Sequence, residues 1–375
     1  MKSFKSLAVS GVACLLLATA CSVPSPTSTA TPQAAPSGAG AAQPGAAQAG
    51  AGTAGGSVGV GSKSAPNGAP APFVAPNQVP AAAPWNASSG ARIEFADASP
   101  FFSDGVGSFR TYCFYSHMAA DDPLVAPGRP GGSHLHTFFG NTGVDAFSNA
   151  DSIQHTGDST CRGGTANRSA YWVPSIIDGN TGTPVVPEFL ISYYKTGYTG
   201  VQSWEVNAMP QGLRMIAGDS RATGPSGLPH WLRPVSWNCA FDSAGNGTSA
   251  TNEMQQCSGG QMVKMVVAFP QCWDGRNLDS ADHKSHMAYS DNGCPATHPV
   301  ALPQVSFNVY WSVPDGGNWS WRLSSDMYSG PAGYSGHGDW WNGWDPAVMQ
   351  TWIDNCSNPG LDCSVDLLGN GMKLV

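Results

Sequence analysis

The chain is poor in charge, and basic residues are scarcer than acidic ones. Only 17 Lys and Arg residues stand against 25 Asp and Glu residues, and charged residues make up 11% of the 375-residue sequence. The formal net charge is −8. Such a chain lacks the broad basic surface with which proteins bind nucleic acids or anionic membranes. We therefore expect no nucleic-acid partner.

Long apolar runs and several familiar catalytic motifs are also missing. After the first twenty residues, no stretch approaches the roughly 18 apolar residues of a membrane-spanning helix. The sequence contains no Gly-x-Ser-x-Gly elbow, no phosphate-binding loop and no dinucleotide fingerprint. Glutamate is restricted to Glu94, Glu188, Glu205 and Glu253. These absences argue against the commonest serine hydrolases, nucleotide hydrolases and dinucleotide-dependent oxidoreductases.

The N-terminus has the features of an export signal. Lys2 and Lys5 precede an apolar run over residues 7–17, and small residues lead to Cys21. This pattern predicts a signal peptide over residues 1–20 and a lipidated Cys21. The alternative is an ordinary secretory signal that is cleaved nearby. Both readings predict an exported protein, at the bacterial cell surface or secreted, that meets the membrane only through a lipid anchor.

Residues 21–90 have the composition of a tether. They are almost wholly Ala, Gly, Pro, Ser, Thr and Gln, with Lys63 as the one charged residue. A segment of this kind cannot bury enough apolar surface to offset its conformational entropy. We expect a disordered tether that carries a single domain over residues 91–375.

Cysteine usage in residues 91–375 agrees with export, because an even number of cysteines in an oxidising compartment predicts disulfides. The short loops between them favour Cys272–Cys294 and Cys356–Cys363. The remaining four pair most simply as Cys113–Cys161 and Cys239–Cys257.

Short segments rich in Val, Ile, Tyr and Trp, bounded by Gly, Pro and Asn, predict a mainly β domain. The segments lie at 134–139, 169–177, 185–197, 212–218, 234–241, 261–273 and 304–311. One helix is predicted near the C-terminus, where Asp345 is the N-cap and Pro346 takes the first helical position. We expect a β-sandwich, jelly-roll-like, with long loops.

Several long motifs give the chain a family resemblance. They are YSHMAADDPLVAPGRPGGSHLHTFFGN (115–141), STCRGGTANRSAYWVPSIID (159–178), FPQCWDGRNLDSADHKSHMAY (269–289), GCPATHPVALPQVSFNV (293–309), RLSSDMYSG (322–330) and GYSGHGDWWNGWD (333–345). Together they resemble the DUF1996 family over about residues 105–370. The resemblance implies a secreted, disulfide-bonded domain and implies no activity.

A His-x-His pair is the first candidate site. Residues i and i+2 of an extended segment point to one face, so His134 and His136 are expected to project together. Such a pair suits Zn or Cu, with His286 or His337 as a third ligand and Asp339 as a carboxylate. The alternatives are that these histidines move protons or contact a ligand without a metal, or that they are structural.

Carboxylates form the second candidate site. Hydrolysis of a glycosidic bond needs two carboxyl groups on opposite sides of that bond. Asp122 and Asp274 read as turn residues and Asp345 as a helix cap. Asp326 and Asp339 are the best candidates, because SS and MY flank the first and HG and WW the second.

Aromatic and basic residues suggest a polysaccharide as substrate. Trp273, Trp340 and Trp341 lie beside Gly, Asn or Asp and could stack on sugar rings, whereas core packing is the alternative. A polysaccharide lyase would neutralise a uronate and move the adjacent proton with Arg, Asn or Tyr side chains. Its candidate residues here are Arg162, Asn167, Tyr194 and Lys195.

Three functions therefore remain open. The favoured hypothesis is an extracellular hydrolase or lyase that cleaves a polysaccharide or cell-wall glycan by acid–base catalysis. Its residues would be His134, His136, His286, Asp326, His337 and Asp339. The alternatives are a Cu- or Zn-binding protein centred on His134 and His136, and a non-catalytic glycan-binding or adhesion module.

Overall fold

The structure is a computed structural model, and it describes residues 71–72, 74–82, 90–102, 105–196, 199–241 and 247–375. The predicted signal peptide, Cys21 and most of the predicted tether lie outside these residues. Within them, no helix is both long enough and apolar enough to cross a membrane.

Strands dominate the described residues. In chain order they are β1 (Ile93–Phe95), β2 (Phe101–Phe102), β3 (Ser108–Cys113), β4 (Tyr115–Ala119), β5 (His136–Gly140), β6 (Ala170–Pro174), β7 (Ile176–Asp178), β8 (Thr183–Val185), β9 (Phe189–Lys195), β10 (Arg214–Gly218), β11 (Val235–Ala240), β12 (Met262–Ala268), β13 (Cys272–Trp273), β14 (Met287–Ala288), β15 (Val300–Ala301), β16 (Gln304–Ser312), β17 (Trp321–Leu323), β18 (His337–Trp341), β19 (Leu361–Val365) and β20 (Met372–Leu374). All of the predicted strand segments contain or overlap observed strands.

Helical segments are short. The α-helices are α1 (Ala150–His155) and α2 (Pro346–Trp352), and 3₁₀ turns span Pro76–Gln78, Ser203–Glu205 and His230–Leu232. A π-helical turn, Ile353–Ser357, follows α2. The predicted cap of α2 is confirmed, because the Asp345 carboxylate accepts hydrogen bonds from the backbone N–H groups of Ala347 and Val348.

Two large sheets form the sandwich. One has the strand order β10-β18-β6-β5-β4, and the other has the order β11-β12-β16-β9-β3-β19-β2. Their facing sides share one core, in which Tyr171 of β6 packs edge-on against Phe307 of β16 with ring centroids 5.5 Å apart. The predicted β-sandwich with long loops and a C-terminal helix is confirmed, and the finer jelly-roll arrangement stays a prediction.

Period-two alternation explains how each strand contributes to this core. Along β12, Val263, Met265 and Val267 are buried between less buried neighbours. Gly338 of β18 faces β12 and β16 of the other sheet. A Cβ atom there would be 3.1 Å from Val267 and 3.3 Å from Phe307, so a larger residue would require these two side chains to shift.

The outer side of the five-stranded sheet has a smaller core of its own. Phe138, Trp172 and Trp341 project outward and pack with Leu124 from the β4–β5 connection, Val144 and Ile153 of α1. The ring of His136, the first residue of β5, lies next to this outer core, with its centroid 6.2 Å from that of Phe138.

All four predicted disulfides are confirmed. They join Cys113–Cys161, Cys239–Cys257, Cys272–Cys294 and Cys356–Cys363. Such a set is typical of an extracellular or exported protein.

The boundary of the tether differs from the sequence-based expectation. Ala71 donates a backbone hydrogen bond to Asp326, and the Tyr115 hydroxyl donates to the carbonyls of Pro80 and Ala81. Gln78 also donates to the carbonyl of Thr181. The predicted tether over 21–90 therefore includes a segment near its C-terminal end that lies against the domain.

Candidate metal centre

Three histidines from two separate stretches of the chain converge on one point. His136 begins β5, His337 begins β18, and β6 lies between these two strands. His136 pairs with Pro174 of β6, and the register of Asp339 with Trp172 brings His337 level with the same Pro174. Both imidazoles therefore project from the same face and the same end of the sheet. His134 lies two residues before His136, and its ring lies next to those of His136 and His337.

The three rings are close enough to share a ligand. The Nε2 atoms of His136 and His337 are 3.4 Å apart. The ring centroid of His134 lies 4.2 Å from that of His136 and 5.0 Å from that of His337. One nitrogen from each ring can be chosen so that all three lie within 4.8 Å of one another, and this is the one such cluster of metal-ligating side chains among the described residues.

Hydrogen bonds fix the tautomers of the two buried rings. His136 Nδ1 lies 2.9 Å from the carbonyl oxygen of Asp121, and His337 Nδ1 lies 2.8 Å from that of Ser335. A carbonyl oxygen can only accept, so each Nδ1 carries the proton. In the neutral rings both Nε2 atoms then hold lone pairs, and these lone pairs face each other with no proton between them.

Burial favours the neutral form of all three rings. Burial lowers the pKa of His134 to about 4 and that of His337 to about 3. Burial also lowers the pKa of His136 well below its usual range, and the neighbouring His134 and His337 lower it further. Neutral imidazole is the form that binds metal ions.

The hydrogen bonds of His134 favour the same tautomer, with the proton on Nδ1. The Ser324 hydroxyl donates to the carbonyl oxygen of Leu135 over 2.5 Å, so its oxygen is left to accept from His134 Nδ1 at 3.3 Å. That arrangement leaves the Nε2 lone pair of His134 available. Unlike the other two histidines, His134 is only partly buried. It lines an open cleft together with His337.

Asp339 lies two residues after His337 on β18, on the same face of the strand. It is buried, and its Oδ2 atom has no hydrogen-bond partner in the described part of the chain. Burial raises the pKa of this carboxyl well above its usual range, and Asp122 raises it further, whereas Lys284 opposes the shift. An unpartnered buried polar atom is uncommon in a folded protein, and this one belongs to a residue that lines the same cleft as His134 and His337.

The cleft outside the histidines has a volume of about 360 Å³. Its walls include His134, His337 and Asp339 on one side and Asp282, His283 and Lys284 on the other. The Lys284 ammonium is held by the carbonyl oxygen of Gly218 at 2.7 Å, and His283 by the Asp279 carboxylate at 3.0 Å. The cleft therefore offers charged groups of both signs next to the histidines.

Comparison with known proteins identifies the family. A family model described as a domain of unknown function, DUF1996, matches residues 122–344. The chain belongs to the DUF1996 family. No curated protein and no solved structure matches it. His134, His136, His337 and Asp339 all lie within the matched part of the DUF1996 domain.

Of the predicted catalytic residues, His134, His136, His337 and Asp339 are brought together, whereas His286 and Asp326 are not. His286 is buried with both ring nitrogens engaged, Nε2 with the carbonyl of Arg214 at 2.7 Å and Nδ1 with the Ser280 hydroxyl at 2.9 Å. His286 therefore lies outside the three-histidine cluster, in which His337 is the third ring. A catalytic role for His286 stays a prediction.

Asp326 is a structural residue of the DUF1996 domain. It is fully buried and accepts hydrogen bonds from the backbone N–H groups of Leu323 and Gly333 and from the Ser335 hydroxyl. Its carboxylate is committed to bracing the loop that leads into β18. The Asp326–Asp339 catalytic pair stays a prediction, which these contacts of Asp326 do not support.

The predicted sugar-stacking tryptophans are not on the surface. Trp340 and Trp341 are fully buried, Trp340 in the main core and Trp341 in the outer core, where the Arg214 guanidinium lies 4.3 Å over its ring. Trp273 is partly buried, and its indole N–H donates to the carbonyl of Asn277. Burial contradicts a stacking role for Trp340 and Trp341.

The predicted lyase group is dispersed. Arg162 pairs with Asp366 at 3.4 Å, and Lys195 lies over the ring of Tyr193. Asn167 and Tyr194 are fully buried and bind Tyr171 inside the main core. These residues do not form one site, so the uronate-binding constellation is wrong.

Sequence reasoning missed Lys284, His283 and Ser324 as neighbours of the centre. The two histidines in DHKSHM (282–287) drew attention to His286. In the structure, Asp282, His283 and Lys284 are the residues of this segment that line the cleft. No local sequence signal distinguishes His286 from His283, because which of them lines the cleft depends on which side of the loop faces β18.

Proposed function

We propose that this DUF1996 protein is a metal-dependent hydrolase, with one Zn²⁺ ion held by His134, His136 and His337. The observation that carries the proposal is the meeting of two buried Nε2 lone pairs at 3.4 Å. Without a cation between them these lone pairs repel each other, and both rings have lost their water on burial. A metal ion is the ligand that turns this arrangement into a favourable one.

A purely structural pair of histidines would be arranged differently. One ring would donate its N–H to the lone pair of the other, as in a neutral imidazole hydrogen bond. Here the Asp121 and Ser335 carbonyls already take both Nδ1 protons. Carbonyl acceptors of this kind orient metal-binding histidines and raise their basicity.

The spacing favours a tetrahedral ion over a square-planar one. With metal–nitrogen bonds of about 2.0–2.1 Å, a tetrahedral site places neighbouring nitrogens about 3.3 Å apart. Adjacent ligands of a square-planar Cu²⁺ site with similar bonds would be about 2.9 Å apart. The observed 3.4 Å between the Nε2 atoms matches the tetrahedral edge. The partly buried His134 can close the remaining distance by a small side-chain movement.

Three protein ligands and an open side are typical of a catalytic zinc site, whereas structural sites are closed by four ligands. The open side here is the cleft lined by His134, His337 and Asp339. Zn²⁺ in such a site lowers the pKa of water and polarises a carbonyl or phosphoryl oxygen. Asp339 would accept or return a proton from its unpartnered Oδ2 atom, and Lys284 would orient an anionic or polar group of the substrate.

We also propose that the protein works outside the cell, attached through a lipid on Cys21. The four disulfides support an exported location. Cys21 itself lies outside the described residues.

Metal analysis tests the proposed centre. The purified protein should retain about one equivalent of Zn²⁺ after dialysis, and the double variant His136→Ala/His337→Ala should retain none. His286→Ala is the matched control, because it removes another buried imidazole with two hydrogen bonds but leaves the centre intact. Equal zinc in the double variant and the wild type would contradict the proposal.

A further inference from the structure

A second cleft adjoins the histidine cleft. Its volume is about 400 Å³, and Gly218 and Asp219 line both clefts. The two therefore meet along the end of β10 and the loop that follows it. Volumes of this order are typical of small-ligand sites, and two that meet provide room for an elongated ligand.

The second cleft carries almost no charge. Among the described residues, its lining contains no Lys, Arg or His side chain and a single carboxylate, that of Asp219. Polar groups come instead from Thr223, Ser226 and Asn252, and the Ser226 hydroxyl donates to the Asn252 side-chain oxygen at 3.0 Å. Hydroxyl and amide groups suit a neutral ligand rich in hydroxyls, whereas the part of a polyanion bound in this second cleft would meet no cation among the described residues that line it.

An aromatic side chain lines the same cleft. Tyr334 is partly exposed, and its ring is stacked on that of Tyr328, with centroids 6.0 Å apart and an angle of 20° between the planes. The Tyr328 hydroxyl accepts the backbone N–H of Tyr334, and the Arg322 guanidinium lies 5.4 Å over the Tyr328 ring. Tyr334 is therefore a supported, half-exposed ring on which a flat apolar ligand face can pack.

Extended peptides commonly bind by adding a strand to a sheet edge, and the backbone groups of both edges near this cleft are partly occupied. At β11, Trp237 exchanges backbone hydrogen bonds with Thr251. At β10, the carbonyls of Arg214 and Gly218 accept hydrogen bonds from His286 and Lys284. A peptide would find few main-chain partners, which favours a glycan.

We infer that the joined clefts bind a neutral polysaccharide chain, which crosses Gly218 and packs one sugar ring on Tyr334. This inference rests on the proposed function, because it takes the histidine centre as the reacting end of the groove. It assigns the polymer to a neutral class rather than to the uronates that the sequence suggested.

Two glycines in one loop provide a matched pair of test positions. Gly224 lines the second cleft and Gly227 does not. A Cβ atom added at either glycine meets no atom within 4 Å, and neither has a positive φ. A tryptophan at 224 should therefore fill the cleft without disturbing the fold, whereas a tryptophan at 227 should point into solvent.

The experiment measures binding of neutral β-linked glucose and N-acetylglucosamine oligomers of increasing length by calorimetry. Polygalacturonate and an unstructured casein peptide serve as anionic and peptide probes. We expect at least one neutral series to bind with affinity that rises with length. Gly224→Trp and Tyr334→Ala should weaken binding about tenfold or more, and Gly227→Trp and Tyr334→Phe should leave it within about twofold.

Several results would overturn the inference. They are no binding of any neutral oligomer, binding of polygalacturonate or the peptide alone, and unchanged affinity in Gly224→Trp. Zinc content measured on the same preparations separates this inference from the proposed function. If the protein binds oligomers through the joined clefts but takes up no zinc, the inference of polysaccharide binding stands and the proposed metal centre is refuted. If it takes up zinc but binds no oligomer, the metal centre stands and the inference of polysaccharide binding is refuted.

Discussion

Two buried polar clusters in the same sandwich differ in how many of their polar atoms have hydrogen-bond partners. In the tyrosine cluster, Asn167, Tyr171, Tyr194 and Trp344 bind one another, with a Tyr171–Tyr194 hydroxyl distance of 2.8 Å and the Trp344 indole donating to Tyr194 at 2.9 Å. In the histidine cluster, the Nε2 atoms of His136 and His337 face each other without a proton.

This difference distinguishes a cluster that stabilises the core from one that is suited to binding a ligand. A buried polar network that satisfies its own donors and acceptors rigidifies the core and needs no ligand. A buried set of lone pairs without donors is unfavourable by itself and becomes favourable only when a cation is bound. Both clusters contain residues that the sequence presents as candidates for a functional site. The clusters differ in whether their buried polar atoms have hydrogen-bond partners.

The largest expected effect is the dependence of stability on zinc. Zinc at a thousandfold excess over its Kd should raise the free energy of unfolding by about 4 kcal/mol, because it binds the folded state alone. Thermal unfolding with and without a chelator measures this. The double variant His136→Ala/His337→Ala should show no response to the chelator, and a response equal to that of the wild type would refute the assignment.

The second effect is the pH dependence of the zinc-free protein. His134 and His337 have folded-state pKa values of about 4 and about 3, below the usual value of 6.5. The unfolded chain therefore binds more protons in this window, and stability should fall as pH drops from about 6.5 towards 4. Each histidine contributes up to about 1.4 kcal/mol per pH unit.

Denaturant unfolding at several pH values measures that slope. It should be smaller in the double variant and unchanged in Tyr194→Phe, since burial raises the pKa values of Tyr171 and Tyr194 and moves them away from this window. An equal slope in the double variant would contradict the account.

The third prediction concerns the tyrosine cluster, whose buried polar groups are hydrogen-bonded to one another. Tyr194→Phe removes the hydroxyl that binds both Tyr171 and the Trp344 indole. Leaving these buried partners unpaired should lower the free energy of unfolding by about 1–3 kcal/mol. Zinc affinity should not change, and a parallel loss of zinc would show that the two clusters are coupled.

The smallest expected effect comes from Ser324. Its hydroxyl orients His134 without lying in the centre itself. Ser324→Ala should weaken zinc binding about tenfold, as is usual for residues that position a ligand, with little change in stability. Competition with a fluorescent zinc chelator measures the affinity. Unchanged affinity would show that His134 needs no support from Ser324.

Local patterns predicted most of the fold. Alternation along β12, the Asp345–Pro346 start of α2 and the short spacing of the cysteine pairs all reflect forces that act within a few residues. The strand β18 escaped prediction because HGDWW contains glycine and aspartate, which are disfavoured in strands. Its position between β6 and β10 depends on contacts that are remote in sequence.

Only part of the candidate site could be predicted from the sequence, for the same reason. His134 and His136 are neighbours in sequence, so their common face could be predicted. His337 lies about two hundred residues away, and its choice over His286 depends on the register of β18 against β6. Burial of Trp340 and Trp341 follows from that same strand, since they become core residues once β18 joins the sheet.

X-ray absorption spectroscopy of the zinc-loaded protein tests the central claim most directly. The account predicts one Zn²⁺ per chain in a four-coordinate site, with three imidazole nitrogens at about 2.0–2.1 Å. A sulfur ligand, fewer than three imidazoles, or the same spectrum from the double variant His136→Ala/His337→Ala would contradict it.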